Sequence, residues 1–270
     1  MKNLLKTLLL LATTLAATTH YAAAETAAAA PAAGTGAAAT PYQIANLANL
    51  RWLSQTPAAW GAHFVQTANI DAAETGTWNY DAATASYKGF SPIGNYQVYA
   101  YEHMVGHSVT TTVVEEGIKF TGSYNGNGHT ISNLYVNCID GLNAGLFGYV
   151  DGVTLTGVGM LNVNITGQQA GGLVGFGNNS TITQCYTTGL VARRIYANGV
   201  LGTTTTGGLV GGSRDGVITQ CYSSCRGAGG GLIGFLNNEY SPSSSLKNCY
   251  ATGSVSGSLV GRATRRVEFS

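Results

Sequence analysis

The sequence is poor in charged residues and in long hydrophobic runs. Asp, Glu, Lys and Arg make up 9% of its 270 residues, whereas an average domain contains roughly 25%. The 13 basic and 12 acidic side chains leave a net charge of +1, which argues against a nucleic-acid-binding groove. The apolar run near the N-terminus is shorter than the ~20 residues of a membrane helix and no later stretch qualifies, so no membrane span is predicted.

Carboxylates are too sparse in the second half of the chain to form an obvious enzyme site. Cleavage of a glycosidic bond requires two carboxyl groups that flank it, and Asp151 and Asp215 occupy turn positions rather than forming a pair. The acids from residue 131 to 261 are Asp140, Asp151, Asp215 and Glu239, and those from 70 to 130 are Asp71, Glu74, Asp81, Glu102, Glu115 and Glu116. The second set leaves open an alternative function, a polysaccharide-acting enzyme with its site in the N-terminal coils.

The stretch from Glu102 to His107 has some features of a metal-binding motif. His103 and His107 are four positions apart, but Met104 stands where the zinc peptidase motif has its general base, a Glu. Gly106 and the β-branched residues that follow argue against the helix that such a site needs. We therefore predict no metal and no cofactor, and we interpret residues 96–118 as an inserted loop.

A tetrapeptide of the form Gly-Leu-(Val/Ile/Phe)-Gly recurs along the second half of the chain. Its copies begin at residues 145, 172, 208 and 231, and a degenerate copy spans Ser258 to Gly261. The starts are 27, 36, 23 and 27 residues apart. A variable period of this size is typical of a repeat protein with inserts between constant segments. Because one repeat is too small to bury its own apolar face, the repeats are expected to stack.

Short strands and tight corners follow each tetrapeptide at matching distances. Triplets rich in Val, Ile and Thr favour β-strands, and the pairs Asp151-Gly152, Asn178-Asn179 and Asp215-Gly216 favour corners. Residues 131–261 are therefore predicted to form an all-β parallel β-helix. Its inward structural positions are predicted to be Leu146, Leu173, Leu209, Leu232, Ile182, Ile218, Leu246, Cys185, Cys221 and Cys249.

These residues resemble the GLUG-motif repeat family, in which Gly-Gly-Leu-Val-Gly is followed by Ile-x-x-Cys-Tyr-x-x-Gly. The matching segments are Gly171 to Gly175 with Ile182 to Gly189, Gly207 to Gly211 with Ile218 to Ser224, and Leu246 to Gly253. The resemblance covers about Tyr42 to Gly261. It implies a right-handed parallel β-helix in secreted or surface-displayed bacterial proteins, many of them adhesin-like, and it implies no catalytic activity.

The N-terminus has the features of an export signal followed by a linker. A basic start at Met1 to Lys6, an apolar run to Ala17 and small residues before Glu25 predict a cleavable signal peptide over residues 1–24. We therefore expect a secreted or cell-surface protein. Residues 25–40 are almost all Ala, Thr, Gly and Pro, which predicts a linker.

A capping helix is predicted at the start of the next segment, residues 41–130, which also holds the first coils. Apolar residues from Ile44 to Leu53 lie close to helical spacing. The helix begins either at a capping box formed by Thr40 to Gln43 or, as the resemblance to the GLUG-motif family implies, near Asn46 after a short strand at Tyr42 to Ile44. Such a helix would cover open strand edges at this end of the stack.

The three cysteines of the repeats hold the same repeat position. Cys185, Cys221 and Cys249 are expected to stack on successive strands at ~4.8 Å, within the reach of a disulfide. An inward ladder of free thiols is the main prediction, and one bridge such as Cys185 to Cys221 is the alternative. Cys138 and Cys225 fall outside this register, and no His accompanies the ladder.

Aromatic residues are concentrated just before the regular repeats. Exposed rings in a weakly charged segment suit sugars or protein surfaces, and the candidate ligand-binding residues are Trp78, Tyr80, Tyr96, Tyr99 and Tyr101. Packing inside the first coils is the alternative, and Phe90 is the residue best suited to the core. We predict an exported noncatalytic protein that binds glycans or host and matrix surface proteins, with no nucleic-acid partner.

The C-terminus is compatible with more than one arrangement. Residues 262–270 form a basic tail that we expect to be solvated, and both a natural end and truncation of a longer chain are open. A purely structural repeat segment of a longer surface polypeptide is therefore a further alternative function. The sequence does not indicate an oligomeric state.

Overall fold

The computed structural model describes residues 24–105, 108–138, 143–193, 205–237, 245–254 and 257–263, with backbone only at 99–105 and 108–111. The predicted signal peptide up to residue 23 and the predicted tail from residue 264 lie outside the described residues. The described helices are α1 (Leu47–Gln55) and two short 3-10 helices, Pro57–Ala59 and Ala73–Thr77. In chain order, the described strands are β1 (Tyr42–Ile44), β2 (His63–Gln66), β3 (Ile70–Asp71), β4 (Tyr80–Asp81), β5 (Ser86–Tyr87), β6 (Gln97–Val105), β7 (Ser108–Glu116), β8 (Ser123–Asn125), β9 (Thr130–Ser132), β10 (Tyr135–Asn137), β11 (Asn143–Ala144), β12 (Phe147–Asp151), β13 (Thr154–Thr156), β14 (Gly159–Gly167), β15 (Gln169–Gly171), β16 (Val174–Asn178), β17 (Thr181–Thr183), β18 (Tyr186–Arg193), β19 (Thr205–Gly207), β20 (Val210–Arg214), β21 (Val217–Thr219), β22 (Tyr222–Arg226), β23 (Ile233–Asn237), β24 (Ser245–Lys247), β25 (Tyr250–Ala251) and β26 (Val260–Ala263).

Parallel sheets built from successive repeats dominate the described part of the chain. The first sheet has the order β1-β2-β8-β13-β17-β21-β24, and the second has β3-β9-β14-β18-β22-β25, with β10 also paired to β14. The third sheet has the order β12-β16-β20-β23-β26, and the fourth has β11-β15-β19. Neighbouring strands within these four sheets are parallel. The predicted mostly-β fold with parallel strands is confirmed.

The register of the first sheet places equivalent repeat residues beside one another. Leu155 pairs with Ile182, Ile182 with Ile218, and Ile218 with Leu246. All four side chains are at most 3% exposed, whereas the threonines beside them are exposed or half-buried. This alternation is what a strand with one face on the core requires, and it explains the apolar centre of each triplet.

The leucines of the tetrapeptides form a continuous column in the core. Leu146, Leu173, Leu209 and Leu232 have no exposed surface. Their backbones are also linked, because the Leu173 N–H donates to the Leu209 carbonyl at 3.0 Å and the Leu209 N–H donates to the Leu232 carbonyl at 2.9 Å. The N–H of Ile93 donates to the Leu146 carbonyl at 3.0 Å, so the segment Ser91 to Gly94 takes the place of one earlier tetrapeptide.

The last glycine of the tetrapeptide is required by close approach of the backbone. A Cβ atom at Gly175 would lie 2.7 Å from the Ala144 nitrogen, and one at Gly211 would lie 2.5 Å from the Gly175 carbonyl oxygen. Both contacts are with main-chain atoms, which cannot rotate away. Any larger residue would therefore force the third and fourth sheets apart.

The predicted corners adopt left-handed backbone conformations. Gly152, Asn179 and Asp215 have φ values of 65°, 45° and 51°, and they occupy equivalent places because Asp151, Asn178 and Arg214 pair in register. A second column of corners lies at Gln184 and Gln220, which both have φ of 53°. This column was not predicted. Glutamine is not a usual residue for this conformation, so the sequence carries no clear signal for it.

The N-terminal segment agrees with one of the two predicted helix starts. Tyr42–Ile44 is a strand, and α1 begins after Asn46, whose side chain accepts a hydrogen bond from the Asn49 N–H at 2.9 Å. The alternative start at a capping box from Thr40 to Gln43 is wrong, because the backbone there pairs as a strand. Leu50 and Leu53 of α1 are fully buried.

The segment predicted as a linker is attached to the body in this structure. Arg51 forms an ion pair with Glu25 and donates to the Thr26 carbonyl at 2.5 Å. The Asn49 amide donates to the Ala29 carbonyl at 3.0 Å. Small side chains leave the main chain of this segment accessible, so polar groups of the helix can bind it. Although its side chains are small, the segment of residues 25–40 is therefore not free of the body.

The insert predicted as a loop over residues 96–118 is instead a β-hairpin. Strands β6 and β7 pair antiparallel from Gln97 with Glu116 to Val105 with Ser108. Val, Thr and Tyr are frequent in these two strands, and such residues favour β-structure. No helix in the described residues combines the length and apolar character needed to cross a membrane.

Candidate functional site

A groove lies where the inserted hairpin meets the outer surface of the third sheet. The hairpin leaves and rejoins the body at one point, because the Asn95 N–H donates to the Ile118 carbonyl at 2.9 Å. The groove has a volume of about 370 Å³. Hairpin residues Val98 and Glu115 line one side, and residues of β12, β16 and β20 line the other.

Three aromatic rings form a column along this groove. Tyr149 pairs with Phe176 in the register of the third sheet, and their rings stack at 5.3 Å between centroids. The ring of Tyr96 meets Tyr149 edge to face at 4.8 Å. All three are 8–9% exposed and form a hydrophobic cluster separate from the main core. The groove therefore has an ordered apolar wall outside the interior of the repeats.

A neutralised charge pair borders the aromatic column. The Lys119 ammonium donates to Asp151 at 2.9 Å and lies 4.5 Å from the centre of the Tyr96 ring. Asp151 also accepts a hydrogen bond from the Asn178 amide at 2.7 Å. The hydrogen bond to Asp151 raises the pKa of Lys119, so its charge is retained. The Lys119 ammonium is therefore already paired with Asp151 of the same chain.

The hydroxyl group of Tyr96 is held by the hairpin. A hydrogen bond to Glu115, helped by burial, raises the pKa of Tyr96 to about 12. Tyr96 is therefore a neutral hydrogen-bond donor to Glu115 at physiological pH. This contact ties the returning strand of the hairpin to the aromatic column.

Polar side chains of the fourth sheet form the floor of the groove. Asn143 pairs with Gln169, and Gln169 pairs with Thr205, so the three residues form a column beside the aromatic one. The Asn143 amide nitrogen donates to the Tyr96 carbonyl at 3.0 Å. The Asn143 Oδ1 and Thr205 Oγ1 atoms are buried without a hydrogen-bond partner in the described structure.

An arginine marks the far end of the groove. The Arg214 guanidinium is 5.9 Å from the centre of the Phe176 ring. Its side chain is exposed, and no described carboxylate forms an ion pair with it. Arg214 is therefore a positive charge available to a ligand, unlike Lys119.

The predicted ligand-binding aromatics are not all at this groove. Tyr96 lines it, but with only 8% exposure. Tyr80 is 42% exposed and meets the Tyr87 ring edge to face, at 5.2 Å between centroids, in the small antiparallel pair β4–β5. The side chains of Tyr99 and Tyr101 lie outside the described residues, although their backbone belongs to β6.

The expectation that Trp78 is an exposed binding residue is wrong. Its side chain is 1% exposed, and its ring lies 6.5 Å from Phe90 and 4.3 Å from the Arg51 guanidinium. The indole N–H donates to Glu74 at 2.9 Å. The first coils enclose enough space for a tryptophan, so its apolar area is used in packing. Phe90, predicted to belong to the core, is 1% exposed.

The repeat cysteines are stacked and carry free thiols. Cys185 and Cys221 are at most 1% exposed, and Cys249 is half-buried. The N–H of Cys185 donates to the Cys221 sulfur at 3.4 Å, and the N–H of Cys221 donates to the Cys249 sulfur at 3.4 Å. The hydrogen bond with the Cys185 thiol raises the pKa of Cys221 to about 12. Such thiols are poor nucleophiles at neutral pH.

A stack of tyrosines on the second sheet was not anticipated. Tyr186, Tyr222 and Tyr250 lie in register, with ring centroids 4.9 and 5.1 Å apart and planes within 4° of parallel. The ring of Tyr186 covers Gly159 of the preceding repeat. The signal was present in the sequence, because each of these tyrosines directly follows a repeat cysteine.

The described residues contain no group of three or more His, Cys, Asp or Glu side chains placed to hold a metal ion. His103, discussed with the zinc peptidase motif, belongs to strand β6 rather than to a helix. His107 lies outside the described residues.

Comparison with known families identifies the repeat. Residues 226–256, which contain the tetrapeptide at residue 231 and the strand around Leu246, match the family model of the GLUG motif. The chain carries a GLUG motif. The predicted resemblance to GLUG-motif repeat proteins is confirmed.

This chain is also similar to one curated protein in sequence and to one solved structure in fold. Halomucin from Haloquadratum walsbyi is 33% identical over 174 residues, which are 63% of this chain but only 2% of Halomucin. A solved structure of a candidate immunoglobulin A1 protease from Bacteroides ovatus has a TM-score of 0.55 at 19% identity, over 87% of this chain and 65% of that one. At that identity the structural likeness supports the fold alone.

Proposed function

We propose that this chain is an exported, noncatalytic right-handed parallel β-helix, and that it binds glycans or matrix surface molecules in an adhesin-like role. The parallel sheets, each with strands from successive repeats, support the β-helix, and the GLUG resemblance supports its handedness. The signal peptide expected over residues 1–24 supports export to the cell surface or beyond.

The groove under the hairpin is the observation that carries the binding role. It places the aromatic column of Tyr96, Tyr149 and Phe176 beside the polar column of Asn143 and Gln169. Sugars present both apolar ring faces and hydroxyl groups, and aromatic side chains with a polar neighbour suit them. The groove is at the small end of the ~300–1,000 Å³ typical of ligand pockets, a size that suits a short saccharide segment.

The same geometry argues against glycan cleavage in this groove. Among its described lining residues, Glu115 is the one carboxylic acid, and it is hydrogen-bonded to Tyr96. Asp151 is nearby, but Lys119 and the Asn178 amide occupy its oxygens. A hydrolase needs one carboxyl group as acid and a second as base or nucleophile. Neither of these groups has the freedom to serve in such a pair.

A structural role in a longer polypeptide is the second candidate. It is favoured by the match to Halomucin, of which this chain covers 2%. In that case the stacked repeats would act as a spacer, and the groove would bind no ligand.

Deletion of the hairpin separates these two functions. Because Asn95 and Ile118 are hydrogen-bonded at its base, residues 97–116 can be removed by joining Tyr96 to Gly117. In the described residues β6 and β7 pair only with each other, so the deletion should leave the thermal melting curve nearly unchanged. We expect wild type to bind members of a glycan array and the deletion variant to lose that binding.

An exposed aromatic outside the groove provides the control. Tyr250 is 54% exposed on the second sheet, and Tyr250→Ser should bind the array as wild type does. If the hairpin-deletion variant binds the array as well as wild type does, the site lies elsewhere. If wild type binds no glycan, the structural spacer is favoured.

A further inference from the structure

We propose that the groove selects saccharides that bear a carboxylate, such as a hexuronic acid unit, over neutral ones. This inference rests on the proposed glycan-binding function and names the chemical class of its ligand. It assigns Asn143 to a sugar hydroxyl, Phe176 to the apolar edge of the sugar ring and Arg214 to the carboxylate.

One buried acceptor atom at the floor of the groove has no hydrogen-bond donor. Asn143 is 9% exposed, its amide nitrogen is fixed on the Tyr96 carbonyl, and its Oδ1 atom has no partner in the described structure. A buried acceptor without a donor is destabilising, and such groups are rare unless they serve a ligand or water. A ligand hydroxyl would supply the missing donor.

A second unpaired group lies in the same column. The Thr205 Oγ1 atom is also buried without a partner, and Gln169 lies between Thr205 and Asn143. Gly212 brings this hydroxyl close to the aromatic column. A Cβ atom placed at Gly212 would be 3.8 Å from Thr205 Oγ1 and 2.8 Å from the Phe176 ring. An unpaired hydroxyl group thus lies near the aromatic column, although Thr205 is not among the residues that line the groove.

Arg214 is the charged side chain of the groove that suits an anion. Lys119 is neutralised by Asp151 at 2.9 Å, and Glu115 accepts the Tyr96 hydroxyl group. Arg214 lines the groove, is exposed and has no ion-pair partner among the described carboxylates. The guanidinium lies over the Phe176 ring, 5.9 Å from its centroid, and is therefore beside the apolar wall. Guanidinium groups bind carboxylates through two parallel hydrogen bonds. The carboxylate of an acidic sugar can therefore pair with Arg214 in this way.

Matched saccharide pairs test the inference directly. The probes are oligosaccharides of glucuronate, galacturonate and mannuronate, each with its carboxyl-reduced counterpart, titrated calorimetrically into the full chain. We expect at least one uronate to bind more tightly than its reduced form. Arg214→Gln should weaken uronate binding by about ten- to a hundredfold, the effect of one charged hydrogen-bonded contact, and should leave binding of the reduced form unchanged.

Arg226→Gln is the matched control, because Arg226 is an exposed arginine on the second sheet, away from this groove. An equal loss with Arg226→Gln would show a general charge effect and overturn the inference. Equal affinity of wild type for acidic and reduced saccharides would also overturn it, while the proposed glycan-binding function would stand. Failure of wild type to bind any saccharide would contradict both the carboxylate selectivity and the proposed glycan-binding function.

Asn143→Ala tests the hydroxyl contact independently of charge. We expect it to weaken acidic and reduced saccharides by the same factor, because it removes an acceptor that both forms use. Circular dichroism on the same samples separates this effect from unfolding. Unchanged affinity for both forms in a folded Asn143→Ala protein would overturn the assignment of Asn143.

Discussion

The part of the molecule before residue 138 and the part after residue 143 fill their cores with different side chains. In the first part the core holds large aromatics, each at most 2% exposed: Trp60, Phe64, Trp78, Phe90, Phe120 and Tyr124. In the described main core after residue 143, Phe147 is the one aromatic residue, and from Leu155 onward the residues of that core are aliphatic or contain sulfur. Both parts share the first and second sheets. The two parts therefore fill the core beside the same two sheets with different kinds of side chain.

The second part is held by contacts that repeat, and the first part by contacts that occur once. Stacked leucines and cysteines recur from strand to strand after residue 143. In the first part, the Trp60 indole donates to the Leu53 carbonyl at 2.7 Å, and the Gln66 amide donates to the Thr130 carbonyl at 2.9 Å. Irregular coils leave gaps of unequal size, so large rings and individual polar contacts fill them. The same irregularity admits the hairpin that forms the groove.

The largest expected effect comes from a charge placed in the repeated column. Leu173 is fully buried between Leu146 and Leu209. Leu173→Asp loses ~1.5–3 kcal/mol of apolar burial and adds an unpaired charge to the core. We expect several repeats to unfold, with loss of the β signal in circular dichroism and a lower melting temperature.

Thr154→Asp is the control for that substitution. Thr154 is exposed on the first sheet, so the same charge faces solvent and should change stability by at most ~0.5 kcal/mol. A melting curve of Leu173→Asp that matches wild type would contradict a common core of stacked repeats.

A smaller effect is expected from added volume at the tetrapeptide glycine. Gly175→Ala would place a methyl group 2.7 Å from the Ala144 nitrogen, and overpacking of this kind costs ~1–3 kcal/mol. Gly177 lies in the same strand, but a Cβ atom there would be 3.5 Å from its nearest neighbour. Chemical denaturation should show a lower free energy of unfolding for Gly175→Ala. Gly177→Ala should be neutral or slightly stabilising, and equal effects would remove backbone approach as the reason for the glycine.

The smallest effect is expected from loss of one of the several contacts that hold the N-terminal segment. Glu74 accepts hydrogen bonds from the Thr26 N–H and from the Thr26 hydroxyl at 2.6 Å. These bonds, the hydroxyl first, lower the pKa of Glu74 below its ordinary value of 4.5. A lowered pKa means that the attachment is fully stabilising above about pH 4.5 and weakens as the pH falls through the lowered value.

Hydrogen exchange of residues 25–40 measures this attachment. We expect faster exchange in Glu74→Gln than in wild type at pH 7, and a difference that shrinks as the pH is lowered below 4.5. The repeats after residue 143 should exchange equally in both proteins at each pH. A constant difference across this pH range would show that the Glu74 carboxylate does not hold the segment.

The sequence predicted the repeated part of the fold in detail. Identical residues at identical repeat positions imply columns, and the burial of Leu146, Leu173, Leu209 and Leu232 agrees with that reasoning. The start of α1 after Asn46 was one of two predicted alternatives. The hairpin was not predicted, although the Val- and Thr-rich segment that forms β7 favours a strand.

The candidate groove was only partly predictable. Tyr96 was identified, but as one of several exposed aromatics, and Tyr149, Phe176 and Arg214 were not considered. No local pattern marks these residues, because they lie in different repeats. Trp78 was assigned to the surface because composition alone does not tell how wide a space the first coils enclose.

The amino-acid sequence by itself determined that the repeats stack, since a short apolar motif can be buried only against copies of itself. Only the tertiary structure decided which outward residues meet. Parallel register carries Tyr149 to Phe176 and Asn143 to Gln169, and the hairpin adds Tyr96 and Glu115 to them. Contacts between residues so far apart in the chain depend on the height of each strand in the stack, and that height is a property of the whole fold.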